Sequence, residues 1–564
     1  MVLRIKRFLR AYGLFLIMPA VLTVFSCWPY LFRDFLGIEH DTFFHLSRIQ
    51  GLAEAISRGD LMPAMYPFKN NGFGYASPLF YCDILLYPFA LMYNAGCPLS
   101  TCYKAMIVVF TWLSGYTMML FLFRVTRDYP ASFIGTAAFI LAPYRISDIY
   151  VRGACGELAA MIFLPVLLSG IYEVIYRKKP EQWPLLTAGL AGLAVSHNLS
   201  FLLGVIVFVC FALLFVSHID NQIFTALVKG CLSAFLLSAF FTLPMLEQTS
   251  SQEFWLHHSG SSSHLENYAV PLWKYFVHDT VFGYGEITQP RESAMTISAG
   301  WLLTFVPVVY LLKKRQNRFV RTALLLGLVF LILPASFMPW QYMSFLRILQ
   351  FPWRLIMISI LLLPVPLAAL CSERTKGSVS LCVAAMTFLI FMGIRQLQPV
   401  TDRTFGITSE NTYSDITGGK LCDPYFAATY MRVECAGGDY IPVGSPDFRD
   451  RSTGILYEDG SESGIAFDKG AELTMYIDAE HTGRELILPL TWYKGYTVTY
   501  EDGTPVLCAP SQERMVSFTA DKPGTYTCRY SGTLLLYTAR IISGLCAIGL
   551  PVVLHEEKKR RLRA

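Results

Sequence analysis

Charge is scarce in this chain: only 15% of its 564 residues are Asp, Glu, Lys or Arg, where soluble proteins carry about 25%. That deficit excludes a soluble multidomain enzyme. The formal net charge of +5 is too small to imply nucleic-acid binding. No nucleotide-phosphate loop, HExxH or GxSxG pattern occurs, so nucleotide-driven chemistry on an inner membrane face has no support. The 14 Cys include no CxxC or zinc-finger spacing. What the chain has in abundance is apolar mass. Hydrophobic residues make up 54% of it, with 41 Phe, 31 Tyr and 9 Trp, which excludes the disordered and collagenous classes and leaves a polytopic membrane protein.

Apolar runs begin around residues 11, 102, 130, 157, 184, 200, 224, 299, 321, 354, 378 and 533. At the ~20 residues needed to cross a bilayer, they predict about twelve transmembrane helices. The first run follows Arg4, Lys6, Arg7 and Arg10 and stays apolar to Phe32 without a small-residue cleavage site, so it reads as a retained helix rather than a signal peptide. Those basic residues put the N-terminus inside. Arg124/Arg127, Arg177/Lys178/Lys179, Lys229, the run from Lys313 to Arg321, Arg374/Lys376 and the tail from Lys558 to Arg563 then fall inside as well. This requires the stretch from Pro78 to Tyr93, which carries Asp83 and Pro88, to be a re-entrant or interfacial helix on the outer face. The competing reading is a full span with a weaker charge rule.

Residues 33–101, 247–298 and 396–532 then become outer segments. The last shifts abruptly to Gly, Asp, Thr and Tyr and contains alternating stretches at Glu472 to Ile477, Tyr496 to Tyr500 and Met515 to Thr519. Glu501-Asp502-Gly503 and Asp521-Lys522-Pro523-Gly524 carry hairpin chemistry. The predicted organisation is a transmembrane domain over 1–395 with outer loops 33–101 and 247–298, an all-β sandwich over 396–532, and a final helix with a basic cytoplasmic tail over 533–564. Cys422, Cys435, Cys508 and Cys528 lie in the β-domain, where disulfides in any of three connectivities or free thiols are both open.

Ionisable residues beside apolar helices are costly to bury and tend to mark function. Here they gather on the outer side. Glu39-His40-Asp41 is followed by His45 and Arg48, so that a helix opened by Asp41 places Asp41, His45 and Arg48 on one face. Asp41 could accept a proton from a hydroxyl there, or simply cap a juxtamembrane helix. The second cluster spans Pro143 to Glu157, with Arg145, Asp148 and Arg152 at i, i+3 and i+7. Guanidinium groups at the outer lipid surface suit a phosphate; a salt-bridge network fixing helix ends is the alternative. The third runs from Arg347 through Gln350 to Arg354, with Pro352 starting a helix and Trp353 at the interface. A smaller group is Ser196-His197-Asn198. His257 and His258 invite a metal, but no carboxylate or Cys completes a ligand set, and a polar lid is preferred.

The segments His40 to Arg48, Ala142 to Arg145 with Tyr150 to Gly153 and Glu157, and Gln350 to Arg354 resemble the bacterial membrane proteins labelled "6-pyruvoyl-tetrahydropterin synthase-related", which are similar to YfhO-type proteins. Trp492 to Tyr496, Asp502-Gly503 and Pro523 to Tyr526 resemble the outer β-domain of that group. The soluble zinc enzyme that this label implies has no recognisable ligand set here. More widely the chain resembles polytopic glycosyltransferases of the GT-C fold, which carry an acidic residue just beyond the first helix and use polyprenyl-phosphate-linked sugars.

That resemblance implies a transferase of the bacterial plasma membrane with cytoplasmic termini, moving a sugar from a lipid-linked donor to a cell-envelope glycan or lipid. Asp41 would be the general base, with His45 and Glu157 orienting the set. Arg145, Arg152 and Arg354 would bind the donor phosphate. Glu39, His40, Arg48, Asp148, His197, Arg347 and Gln350 would support them. Because Glu39-His40-Asp41 replaces a plain paired-acid motif, a divalent metal stays open without a clear ligand set. The rival readings are a non-catalytic envelope assembly protein and a lipid or glycan transporter, the latter expecting charges at mid-membrane and repeated halves.

Overall fold

The structure, a computed structural model, describes residues 2–33, 36–37, 39–258, 264–283, 294–313, 316–373, 376–402, 406–407, 438–446, 454–457, 462–463 and 472–563. Side chains of residues 2–12 and of several short strand residues fall outside the description, as do Cys422 and Cys435. Two compact units divide the chain: 1–42 with 100–235 and 260–410, and 43–99 with 236–259 and 411–564.

Helices occur at every apolar run. Among the described residues, 6 are long and apolar enough to cross a membrane: Leu99–Thr126, Cys155–Tyr176, Asn221–Ser251, Pro352–Cys371, Gly377–Thr401 and Leu534–Arg563. Shorter apolar helices include Gly13–Ser26, Tyr129–Ile140, Asn198–Leu214 and Trp301–Leu311. This is the architecture of a multi-pass membrane protein. In the first unit the helix Cys155–Gly170, continued by a π-helical segment Ile171–Tyr176, is buried along most of its length. Its packing partner Trp183–Ala194 approaches so closely that a Cβ at Gly189 would stand 2.6 Å from the Leu167 backbone, a spacing that small residues permit between apolar helices. Strand β1 (Leu36–Gly37) pairs antiparallel with β2 (Gly406–Ile407) just beyond the helix Lys376–Thr401.

The second unit begins with most of the helix Thr42–Ser57. The stretch read as re-entrant is broken into Ser77–Phe80, Ile84–Leu86 and Tyr87–Asn94. Two antiparallel sheets follow. One orders β4 (Glu462–Ser463), β3 (Ile455–Tyr457), β6 (Glu485–Thr491), β10 (Met515–Thr519) and β9 (Cys508–Pro510). The other orders β5 (Glu472–Ile477), β11 (Gly524–Tyr530), β7 (Tyr496–Tyr500) and β8 (Pro505–Val506). Period-two burial of Leu473, Met475 and Ile477 on β5 is what a half-buried strand requires. Inward residues of both sheets share one core with Phe44, Phe73, Tyr75, Phe80 and Phe254.

The Asp502-Gly503 turn joins β7 to β8 as a hairpin: Gly503 has φ +85° and its amide donates to Tyr500 O at 2.8 Å. The second turn is not a hairpin. Asp521 to Gly524 carries the chain from β10 in one sheet to β11 in the other, because both edges of β10 are already taken by β6 and β9. Cys508 and Cys528 are free thiols.

Candidate functional site

The first unit gathers three chain segments around Glu157. Pro143 opens a short helix, Pro143–Ser147, that relaxes into a π-helical turn, Asp148–Arg152. Such turns widen the backbone and recur at functional sites. Gly153 then takes φ +64° and ends the turn. A Cβ there would lie 3.0 Å from Tyr103 Oη and 3.2 Å from Glu39 Cβ, so glycine is demanded by both conformation and space. With the helix stopped, the carbonyls of Val151 and Arg152 are free to accept from His40 N at 3.2 Å and Asp41 N at 2.8 Å. The acidic segment is thereby fixed to the arginine segment through backbone.

Glu157, in the first turn of Cys155–Gly170, accepts from Arg152 Nη2 (2.8 Å) and Arg354 Nε (3.2 Å) at Oε1, and from Tyr144 Oη (2.6 Å) at Oε2. Arg152 also bonds Asp148 Oδ1 through Nη1, and its guanidinium lies 4.5 Å from the ring centroid of Trp353. Arg354 Nη1 donates to Gln350 Oε1 (2.5 Å) and Leu349 O (3.1 Å). Its ion pair with Glu157 spans 197 residues of sequence. Trp353 is 2% exposed. Its ring is packed inside the protein, with its face toward the Arg152 cation.

Arg145 is wholly buried, with a 3.4 Å contact from Nη2 to Thr111 Oγ1. Neither its Nε nor its Nη1 has a hydrogen-bond partner among the described residues, and the same holds for Asp148 Oδ2. Burial, reinforced by the Glu157 charge, pushes Asp148 above the usual carboxylate range against the pull of Arg152. His197 is half-buried and caps Asn198–Leu214 through Nδ1, which lies 2.8 Å from Ser200 Oγ. Burial pushes it down to about 4, with Glu157 opposing and Arg354 and Arg152 adding to the fall. It is therefore a neutral imidazole within the field of the cluster.

Glu39 accepts from Tyr30 Oη at 3.1 Å and from Thr42 Oγ1. His40 and Asp41 are half-buried, and the helix begins only at Thr42, leaving Asp41 just before it. Arg347 is exposed and is not drawn into the Glu157 contacts. His45 and Arg48 belong to the second unit. There Arg48 donates to Asp83 Oδ1 from Nε (2.8 Å) and Nη2 (2.5 Å), with His45 Nδ1 3.2 Å from its Nη1. Tyr66 Oη closes that group at 2.5 Å from Asp83 Oδ2.

Tyr144 lies within the Ala142 to Arg145 segment but has no role predicted from sequence, and Thr111 and Tyr66 are not predicted at all, since a lone tyrosine or threonine near a charged cluster carries no positional signal. Among the described residues no group of three or more His, Cys, Asp or Glu side chains is arranged to hold a metal ion.

No protein-family profile matches the chain. An uncharacterized protein of Lactococcus lactis subsp. cremoris (strain MG1363) is 22% identical over 247 residues, which make up 42% of this chain and 40% of that protein. The cryo-EM structure of the arabinofuranosyltransferase AftD from Mycobacteria aligns with a TM-score of 0.42 at 14% identity, covering 69% of this chain and 27% of AftD. The chain therefore spans well under two thirds of the length of either.

Proposed function

We propose that the chain is a membrane glycosyltransferase of the GT-C type. It would transfer a sugar from a polyprenyl-phosphate-linked donor to a cell-envelope acceptor on the outer face. The topology that goes with this reading has about twelve spans, cytoplasmic termini and the β-domain outside. The observation that carries the proposal is convergence within one unit: Arg152 and Arg354 share Glu157 Oε1, and the Asp41 amide is bonded to the Arg152 carbonyl.

In this mechanism the Asp41 carboxylate takes the proton of the acceptor hydroxyl as its oxygen attacks the anomeric carbon. The bond from that carbon to the phosphate oxygen breaks, and the polyprenyl phosphate leaves with the electron pair. Arg145, Arg152 and Arg354 stabilise the charge that develops on it. Arg145 contributes donors that no described side chain occupies. Glu157 and Gln350 orient Arg152 and Arg354, and Trp353 supports the Arg152 plane.

The test is release of polyprenyl phosphate from polyprenyl-phosphate-linked sugars in membranes carrying wild type, Asp41→Asn or Arg152→Ala. Both variants are expected to lose release at equal protein levels. Full release in Asp41→Asn would rule out its role as base. Unchanged release in both would favour an assembly protein.

A further inference from the structure

The second unit contains a cavity of about 400 Å³ whose lining includes none of the residues given a role in transfer above. Its volume falls within the range of about 300–1,000 Å³ common to small-molecule sites. The walls are apolar, formed by Leu52, Leu79, Phe240, Phe241, Pro244 and Leu536, and the polar groups that reach it include Asp83 and Arg540. Leu61, Met62 and Ile84 at its margin are exposed, so it is open rather than sealed.

The charge balance at the cavity is set by Arg540. Asp83 is already answered by Arg48 and Tyr66, and Glu247 by Lys494 at 2.9 Å; Asp60 is exposed. Arg540 donates from Nη2 to Met62 O at 2.7 Å, while its buried Nε has no hydrogen-bond partner among the described residues.

Its depth identifies the surroundings. Arg540 lies near the start of Leu534–Arg563, a helix apolar and long enough to span. The basic run beginning at Lys558 lies about 27 Å further along at 1.5 Å per residue, close to the ~30 Å of a hydrocarbon core. Arg540 thus stands at the level of one headgroup layer when the tail stands at the other. Ile541, Leu545 and Ile548, between Arg540 and the basic run, are exposed, as lipid-facing residues would be.

We propose that this cavity binds a phosphate-headed membrane lipid, its chain among the apolar walls and its phosphate on the Arg540 guanidinium. An apolar chain matches the lining, and a phosphate supplies the acceptors that the free guanidinium edge lacks. The cavity shares no lining residue with the proposed transfer site, so lipid retention and sugar transfer are read out separately.

The full chain, reconstituted with mixed phosphatidylglycerol and phosphatidylcholine and then delipidated, is examined by native mass spectrometry. Wild type is expected to retain phosphatidylglycerol in preference to phosphatidylcholine. Arg540→Gln should weaken that preference about tenfold, and Arg540→Lys should restore part of it. Ile84→Trp, a change at an exposed position that narrows the entrance, should reduce retention of both lipids. Displacement of phosphatidylglycerol by a polyprenyl phosphate would support the site and identify a terminal phosphate as the better headgroup. Equal retention of the two phospholipids by wild type, or equal phosphatidylglycerol retention by wild type and Arg540→Gln, would overturn the proposal.

Discussion

Glu157 accepts from Tyr144, Arg152 and Arg354 while itself 2% exposed. Removing one member of a buried ion pair leaves the others uncompensated, at a cost of about 3–5 kcal/mol. Glu157→Ala is therefore expected to lower unfolding stability in detergent by that order; a loss below about 1 kcal/mol would mean that the arginines repair one another. Gly153→Ala should cost about 1–2 kcal/mol from its left-handed backbone alone, and more where the new methyl meets Tyr103; an unchanged melting temperature would contradict this. His278 supplies a pH test. Its Nε2 accepts the Trp301 amide at 2.9 Å at the start of Trp301–Leu311, and burial holds it down at about 4 from an ordinary 6.5, Arg395 adding to the fall and Asp279 opposing.

The folded form keeps His278 neutral while the unfolded chain takes up its proton near 6.5, so its stabilising contribution is full above that value and is lost as pH falls toward about 4. The drop in melting temperature on acidification across this window should be smaller in His278→Gln, whose amide oxygen can still accept. An equal drop in both would show that other groups set the acid response. At this scale the sequence discloses the ionisable residues well, since charge beside an apolar run is rare. It does not distinguish Trp353 as an Arg152 partner from Trp353 as a lipid anchor, because the dipeptide Pro352-Trp353 serves both.

Elements explain why spacing alone misleads. Arg145, Asp148 and Arg152 at i, i+3 and i+7 describe one face of a regular helix, yet the chain passes into a π-helical turn at Asp148 and stops at Gly153. That change turns the carbonyls of Val151 and Arg152 toward His40 and Asp41, and no periodicity records it. In the β-domain, alternation located β5, β7 and β10 correctly. Turn chemistry could not tell the β7–β8 hairpin from the crossing between β10 and β11, because both need the same Asp and Gly residues, and the distinction lies in which strand edges remain open.

The Trp492 to Tyr496 motif has a structural task within its unit. Gln248 bonds both the carbonyl (2.6 Å) and the amide (3.2 Å) of Lys494, and Tyr493 Oη donates to Tyr440 O at 3.0 Å. Gln248→Ala should cost about 1–3 kcal/mol for two lost hydrogen bonds and accelerate limited proteolysis of the β-domain. Unaltered proteolysis would assign the anchoring to other contacts.

At the scale of the molecule, the chain is assembled from discontinuous pieces: residues 43–99 group with 236–259 and the β-domain, while Glu39 to Thr42 stay with the helices that carry Arg152 and Arg354. Linear composition cannot reveal this, because the boundary falls inside the single run from Glu39 to Arg48. It assigns Asp41 to one unit and His45 and Arg48 to the other, and within the second unit Asp83 is bonded by Arg48 and Tyr66. The membrane class was legible throughout, since low charge and repeated apolar runs follow directly from the solvent that the helices meet.

The central claim is that Asp41 and the arginines around Glu157 act together in sugar transfer. It is tested most directly by comparing cell-envelope glycans and lipid-linked sugars in cells carrying wild type, Asp41→Asn and Arg152→Ala at equal protein levels. Lost envelope glycosylation with accumulated lipid-linked donor in both variants is the predicted result; unchanged glycans and unchanged donor in both would contradict it.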